Sequence, residues 1–211
     1  MGLKQRLLGG IVRQFGYPRG WRGRLVGRIM ATRPSNRQRS VWAVEQLDLQ
    51  PGDRVLEIGF GPGLAIEAMV AIVTDGLVCG LDRSEVMLGQ ASRRNRRAIE
   101  AGRVDLRHGS VEALPDFGAP FDKMLAINNL AFWPEPATRL KELHDRLRPG
   151  GLLAVAHQPR CPGATADTSA AAAQELLALL DAAGFVDLRV ETLPLDPPAV
   201  CVVSARATAP R

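Results

Sequence analysis

The feature that most constrains the fold is a short apolar run that ends in three glycines at alternate positions. Residues 55–58 are typical of a strand buried on both faces, and the glycines that follow are Gly59, Gly61 and Gly63. Behind them, apolar residues recur at helical spacing between Ile66 and Val73. A strand, a glycine turn and a helix let the backbone approach a ligand where any Cβ would collide. The stretch therefore predicts an α/β fold with a ligand site at this turn.

Two acidic residues accompany the glycine turn. Glu57 lies two residues before the first glycine, and Asp82 ends the next apolar run, residues 77–81. A carboxylate at the C-terminal end of a strand can accept both hydroxyls of a ribose. The dinucleotide fingerprint Gly-x-Gly-x-x-Gly would require glycine at Leu64, whereas the third glycine here is Gly63. The spacing therefore argues against a dinucleotide such as NAD.

The order strand, Glu-x-Gly-x-Gly-x-Gly, helix, strand, Asp resembles that of class I S-adenosylmethionine (SAM) methyltransferases. The segment Leu-Arg-Pro-Gly-Gly at 147–151 is similar to the ubiquinone/menaquinone-biosynthesis type. The resemblance covers residues 41–207. It implies an α/β, Rossmann-like, seven-stranded, mostly parallel sheet with helices on both faces and the last strand antiparallel. It also implies SAM as cofactor and S-adenosylhomocysteine (SAH) as product.

The same resemblance divides the chain into two regions. Residues 41–211 are expected to form the methyltransferase domain. Residues 1–40 are expected to form a basic helical extension, since the family commonly builds a substrate lid there. Its apolar positions are equally consistent with a packing extension that covers a sheet edge.

The resemblance also implies a set of cofactor-binding residues. Glu57 is expected near the ammonium group of SAM and Asp82 at the ribose, with Arg83 and Met87 beside the adenine. Ser110 stands where the family's adenine loop usually has an acid. The complete expected set is Glu57, Gly59, Phe60, Gly61, Gly63, Asp82, Arg83, Met87, Gly109, Ser110, Val111 and Asn128.

Methyl transfer from SAM mainly requires alignment of the reacting groups, so a catalytic triad is neither needed nor visible. His157 follows the fifth predicted strand and is the histidine best placed as a general base; a structural histidine is the alternative. Asn128 is a catalytic candidate and Asn129 a substrate-binding one, with simple loop capping as the alternative for both. Phe132 and Trp133 are candidates for an apolar substrate pocket, with packing of their loop against the core as the alternative. The last candidate is Tyr17, the only tyrosine.

Several helix and strand boundaries follow from the local signals. Ser35 is expected to cap a helix with Val41, Val44 and Leu47 facing inward, and Ser84 a helix that continues to about Ala98. Further along the chain, the sequence predicts a fifth strand over 152–156, a last helix over 170–183, and final strands over 185–193 and 200–207.

Charge is distributed unevenly along the chain. Residues 1–44 carry ten basic side chains and no acid, whereas the remainder has a net charge of −5. A basic arm of this kind suggests attraction to an anionic partner, although a bias of composition toward arginine explains it equally well. The three cysteines share no metal-ligand spacing, so we expect no metal, reduced thiols and a cytoplasmic location.

The sequence therefore predicts a SAM-dependent methyltransferase that acts on a small molecule. Residues 128–132 read Asn-Asn-Leu-Ala-Phe rather than the Asn/Asp-Pro-Pro-aromatic motif of exocyclic-amine nucleic-acid methylation, which argues against a nucleic-acid partner. Two alternatives stay open. One is an enzyme for RNA or for a membrane-associated lipid or quinone-like substrate, reached through peripheral contact of the basic N-terminus. The other is a catalytically silent SAM-binding regulatory protein. The oligomeric state is not predicted.

Overall fold

A computed structural model of the protein describes residues 33–207. Its centre is one seven-stranded sheet with the strand order β3-β2-β1-β4-β5-β7-β6. All strands are parallel except β7, which runs antiparallel to both of its neighbours, β5 and β6. The predicted mostly parallel sheet with a reversed last strand is confirmed. The strands are β1 Arg54–Ile58, β2 Leu77–Asp82, β3 Val104–His108, β4 Phe121–Ile127, β5 Leu147–His157, β6 Val186–Leu193 and β7 Ala199–Ala205.

Helices cover both faces of the sheet, as predicted. Successive strand residues point to opposite faces, so Val55 of β1 belongs to one apolar cluster while Leu56 belongs to the other. The helices are α1 Pro34–Glu45, α2 Leu64–Val70, α3 Glu85–Arg94, α4 Arg96–Glu100, α5 Pro136–Arg146 and α6 Ala166–Ala182. The first cluster contains buried residues of α1, α2 and α3, and the second contains those of α5 and α6.

The first described helix differs from its prediction. It begins at Pro34, next to Arg33, so Ser35 lies inside the helix instead of capping it. Val44 and Leu47 are buried as expected, but the inward placement of Val41 is wrong, because this side chain is 37% exposed.

The helix expected from Ser84 to Ala98 is divided in two. Ser84 does cap it, since the Met87 N–H donates to the Ser84 hydroxyl at 3.4 Å. Asn95 then separates α3 from α4 and directs its side-chain amide to the carbonyls of Gly63 and Ala91, at 3.3 and 3.0 Å. The break therefore ties α3 to the glycine turn.

Two later elements begin earlier than predicted. Strand β5 already starts at Leu147, because Gly150 and Gly151 exchange backbone hydrogen bonds with Arg206 at 2.8 and 2.9 Å. Helix α6 starts at Ala166, where the N–H of Thr165 donates to the Thr168 hydroxyl at 3.1 Å. Residues 1–32, with Tyr17 and most of the predicted lid, lie outside the described residues. Within 33–207, no helix is both long enough and apolar enough to cross a membrane.

The C-terminal ends of the parallel strands meet along one edge of the sheet, which we call the C-terminal edge. Gly59 follows β1 and donates its N–H to the Leu81 carbonyl of β2 at 2.7 Å. Asn128 follows β4 and donates its N–H to the Ala156 carbonyl of β5 at 2.9 Å. In open α/β sheets, ligands bind at this edge.

Candidate active site

The glycine turn holds the backbone in conformations that other residues rarely adopt. Gly59, Gly61 and Gly63 have φ values of 71°, 51° and 80°. A Cβ at Gly63 would also lie 2.8 Å from the Cβ of Ala91, so a larger residue would push α2 and α3 apart. The turn therefore needs glycine both for its left-handed backbone and for its close contact with α3.

Phe60 lies inside this turn, but its side chain faces the core. It is 3% exposed and packs over Gly80 of β2, where a Cβ would lie 2.7 Å from its Cδ1 atom. Phe60 thus anchors the turn to the sheet, and only its backbone is available to a ligand.

Asp82 connects the glycine turn to the start of α3. One carboxylate oxygen accepts from the Gly61 N–H and the other from the Ser84 N–H, both at 2.8 Å. Burial raises the pKa of Asp82, while these two hydrogen bonds act in the opposite direction. Because a carboxylate has about four acceptor positions, each oxygen can still accept a hydroxyl.

Glu57 is a buried acid, 2% exposed, on the strand adjacent to Asp82. Burial, and secondarily the charge of Asp82, raises the pKa of Glu57 to about 8, although the Ile66 N–H bonds its carboxylate. Its Oε2 atom has no hydrogen-bond partner within residues 33–207. A buried acceptor without a partner is costly, and a cationic ligand group would relieve that cost.

The loop after β3 is bonded to the end of β2. Met87 and Val111 are buried, and the Gly109 N–H donates to the Asp82 carbonyl at 2.9 Å. The Ser110 hydroxyl donates to Glu112 at 2.9 Å and caps the short helical turn Val111–Ala113. Of the residues predicted to surround an adenine, Gly109 contacts Asp82 directly and Met87 is linked to it through Ser84.

The two predicted substrate-pocket aromatics have different environments. Trp133 is 8% exposed and belongs to the core, whereas Phe132 is 42% exposed. The Arg83 guanidinium carbon lies 5.8 Å from the centre of the Phe132 ring. Because Arg83 follows β2 and Phe132 follows β4, this contact spans the glycine turn between them.

The two asparagines after β4 bind the ends of neighbouring strands. Asn128 has a φ of 53°, and its side-chain oxygen accepts from the Gln158 N–H at 2.7 Å. The Asn129 side-chain amide donates to the carbonyl of Ile58, and its Oδ1 has no partner among the described residues. Both side chains thus make loop contacts, and Asn129 lies directly over Gly59.

A set of polar residues on the other side of these asparagines was not predicted from the sequence. Arg39 of α1 is 6% exposed and donates to the Gln158 Oε1 atom at 2.6 Å and to the Asn36 Oδ1 atom at 3.1 Å. Arg160 donates to the same Asn36 oxygen at 2.9 Å. We call Asn36, Arg39, Gln158 and Arg160 the arginine cluster. The only sequence signal for Arg39 was its helical phase with Ala43 and Leu47.

Burial, and secondarily like charges, lowers the pKa of the titratable groups in and beside this cluster. Burial, followed by the charge of Arg160, lowers the pKa of Arg39 to about 10. Burial and the charge of Arg39 also lower the pKa of His157, which Glu175 partly offsets. His157 therefore lies beside the arginine cluster at the end of β5. Within residues 33–207, no group of three or more His, Cys, Asp or Glu side chains is arranged to hold a metal ion.

Known proteins identify the family to which this site belongs. Residues 55–151 match the family model of a methyltransferase domain. An uncharacterized methyltransferase of Bacillus subtilis, YdaC, is 32% identical over 183 residues, which cover 86% of this chain and 98% of that protein. The chain belongs to the class I SAM-dependent methyltransferases.

One further sequence relative and one solved structure are similar to this methyltransferase. It is 33% identical to the 2-phytyl-1,4-naphtoquinone methyltransferase of Synechococcus elongatus over 123 residues, 57% of this chain and 53% of that protein. A crystal structure of a SAM-dependent methyltransferase from Aquifex aeolicus has the same fold, with a TM-score of 0.65 and 20% identity over 83% of this chain and 94% of that one. The predicted family is confirmed, and the quinone-biosynthesis subtype stays a prediction.

Proposed function

We propose that this methyltransferase binds SAM over β1 and β2 and transfers its methyl group to a small-molecule acceptor over β4 and β5. The observation that carries this proposal is the pair of buried acids, Glu57 and Asp82, on either side of a glycine turn at the C-terminal edge. Two buried acids whose acceptor positions are only partly used suit a ligand that brings both an ammonium group and hydroxyls.

The residues present fit the cofactor. The unpartnered Oε2 of Glu57 suits the ammonium group, the remaining acceptor positions of Asp82 suit the ribose hydroxyls, and the glycine turn offers close backbone contact. When bound, SAM supplies a methyl group that its sulfonium already activates. The protein then has to hold and align the acceptor, which can contribute about 7–11 kcal/mol to lowering the barrier.

On the acceptor side, we assign His157 the role of proton acceptor. Its lowered pKa keeps the imidazole neutral near pH 7, as a general base requires. Asn128 fixes the end of β5 next to it through the Gln158 N–H. The exposed ring of Phe132 offers apolar contact to an acceptor.

Two measurements test the proposed function. Calorimetry should detect binding of SAM and SAH and no binding of NAD, because the third glycine is Gly63 and position 64 is leucine. Incubation with methyl-labelled SAM and a fractionated extract should then give a labelled small molecule. NAD binding without SAM binding would refute the cofactor assignment. SAM binding without transfer to any fraction would favour a catalytically silent regulatory protein.

A quinone-like acceptor at a membrane surface is the second candidate. It is favoured by the similarity to a naphtoquinone methyltransferase and by the seven basic residues, with no acid, within positions 1–32. Basic segments of this kind bind anionic membrane surfaces. Co-sedimentation with anionic but not zwitterionic liposomes supports this candidate, and equal recovery in the supernatant from both counts against it.

We further propose that residues 1–32 act as a substrate lid. Described residues alone supply the sheet, the glycine turn and both buried acids, whereas the preceding segment has many apolar and basic residues. Deleting residues 1–32 should leave SAH affinity within a few-fold and sharply reduce turnover, since closure excludes water and aligns the acceptor. Full activity of the shortened protein would refute the lid, and insoluble protein would indicate a packing role instead.

A further inference from the structure

Arg39 is a buried cation whose hydrogen-bond partners within residues 33–207 are neutral. Its guanidinium donates to the side-chain oxygens of Gln158 and Asn36, and its Nε atom has no partner in this part of the chain. Arg139 also has an unpartnered Nε, but it forms an ion pair with Glu142 at 2.9 Å. Arg39 takes part in none of the ion pairs formed among the described residues. A buried charge is normally paired, but Arg39 has no counterion among residues 33–207.

The surroundings of Arg39 add positive charge. Arg160 shares the Asn36 oxygen with it, and the charge of Arg33 reaches Arg160 in turn. Glu175 acts on the neighbouring His157, but it lies exposed on α6. Residues 1–32 contain no aspartate or glutamate that could serve as the counterion. The counterion of Arg39 therefore has to be a group other than these side chains.

The cluster joins a buried arginine to an exposed one. Arg39 is buried, whereas Arg160, which donates to the same Asn36 oxygen, is exposed to solvent. The Gln158 side chain is 1% exposed and is fixed at both ends, because its Nε2 donates to the Pro197 carbonyl at 2.8 Å. A fixed guanidinium presents parallel N–H groups that match a carboxylate or phosphate.

We propose that the arginine cluster binds an anionic group of the methyl acceptor, a carboxylate or a phosphate-type group. The inference rests on the proposed function, because it adds the chemical class of the acceptor at the same edge of the sheet. Gln158 follows β5, two strands away from β1, which corresponds to roughly 9–10 Å in a sheet. The anion is therefore held on the acceptor side of the glycine turn, away from Glu57 and Asp82.

Electrostatics favours an acceptor anion over the cofactor's own carboxylate. The reacting sulfonium is itself cationic, and Arg39, Arg160 and Arg33 would repel a positive charge nearby. An anionic acceptor between the sulfonium and the cluster neutralises both. The carboxylate of SAM is the competing occupant, and the experiment below separates the two.

The first test measures anion binding without turnover, with inorganic sulfate as the probe. The melting temperature of the full chain saturated with SAH is followed as sodium sulfate replaces sodium chloride at constant ionic strength. Sulfate at about ten times its Kd should raise the melting temperature by roughly 3–6 °C. Arg160→Gln should lose most of this shift, whereas Arg97→Gln, an exposed arginine on α4 with the same charge change, should retain it.

The second test uses transfer of labelled methyl groups. An extract is separated on an anion exchanger into a retained and an unretained fraction, and each is incubated with the enzyme and labelled SAM. Label should enter the retained fraction. Arg160→Gln should raise the KM for that fraction by roughly 10- to 100-fold and leave the SAH Kd within about two-fold. Arg160 is exposed, so this variant should fold even where Arg39→Gln does not.

The outcomes are distinct. Sulfate stabilisation that disappears when SAH saturates the protein assigns the cluster to the cofactor's carboxylate and overturns the proposal. A sulfate effect that Arg160→Gln does not reduce, or label found only in the unretained fraction, also overturns it. Failure of SAM binding or of transfer to every fraction would defeat the proposed function instead, and the sulfate titration would still decide whether the anion site exists.

Discussion

The two halves of the C-terminal edge differ in charge and in how the chain assembles them. The cofactor half, over β1 and β2, contains the acids Glu57 and Asp82, and Asp82 bonds Gly61 only 21 residues away in sequence. The acceptor half, beside β5, contains Arg39 and Arg160, whose bonds to Gln158 and Asn36 span 119 and 124 residues. One half is thus acidic and local in sequence, and the other is basic and built from distant segments.

This difference has a physical origin. In the function that we propose, the cofactor half holds the ammonium and hydroxyl groups of SAM, and one strand-turn-helix unit with the next strand suffices for that. The acceptor half then holds the molecule that is methylated, and its residues come from a helix before the sheet and a loop after β5. The chemistry of the acceptor is therefore expected in α1 and the β5 loop rather than in the glycine turn.

The strongest test of the comparison is to remove one charge from each half. Asp82→Asn keeps the shape of the side chain but loses its charge, so we expect SAH affinity to fall by roughly 10- to 100-fold. Arg160→Gln should leave that affinity within about two-fold. Isothermal titration calorimetry measures both, with the exposed Asp181→Asn on α6 as the control for an acid elsewhere. Equal losses of SAH affinity for Asp82→Asn and Arg160→Gln would contradict the division into two halves.

The pH dependence of the free energy of unfolding tests the protonation state of Glu57 in the cofactor half. Because the pKa of Glu57 is raised from 4.5 to about 8, the folded cofactor-free protein keeps a proton that the unfolded chain loses. Glu57 should therefore lower the free energy of unfolding as pH rises from 4.5 to 8, by about 1.4 kcal/mol per pH unit. The lowered pKa of His157 acts in the opposite direction, and its effect is nearly complete about one pH unit above the ordinary histidine pKa of 6.5.

Urea denaturation between pH 6.5 and 8 isolates the contribution of Glu57. The wild-type protein should lose about 2 kcal/mol more across this interval than Glu57→Gln, which cannot titrate. Saturating SAH should reduce the difference, since a cationic ligand group stabilises the ionised acid. Parallel pH profiles for the two proteins would show that Glu57 is already ionised at pH 6.5.

Asn128 tests how the acceptor half is fixed to the sheet. Asn128→Ala loses the bond from the Gln158 N–H and also places alanine at a φ of 53°. We expect it to destabilise the protein by about 2 kcal/mol. Asn128→Gly tolerates the backbone and loses only the side-chain bond, so it should cost about 1 kcal/mol. Urea midpoints compare the pair, and equal costs would mean that the left-handed backbone contributes nothing.

The smallest expected effect concerns the contact that spans the two halves. An exposed pair such as Arg83 and Phe132 should couple by about 0.5–1 kcal/mol. A double-mutant cycle with alanine at both positions measures this coupling, and the cycle with Arg93 in place of Arg83 is the control. Coupling indistinguishable from the control would mean that the halves make no energetic contact through these side chains.

The cofactor half could be predicted from the sequence because its signals are consecutive. The apolar run, the glycine spacing and the following acid each lie within one element, and the sheet order came with the family they resemble. The predictions failed where a contact between residues distant in sequence determines the local structure. The helix after Ser84 breaks because the Asn95 amide bonds the Gly63 carbonyl, 32 residues earlier. Arg39 looked like one basic residue among ten, and its burial depends on Gln158.

The reversal of β7 has a consequence for how such an enzyme can diversify. Because β7 runs antiparallel, the loop before it, residues 194–198, lies at the same edge as the glycine turn, where Pro197 and Pro198 accept hydrogen bonds from Gln158 and Ser169. A parallel strand would have begun at the opposite edge. Insertions in this loop can therefore extend the chain beside the proposed acceptor site without altering any strand register. Homologues that methylate larger molecules are expected to differ from this protein in the length of this hairpin loop.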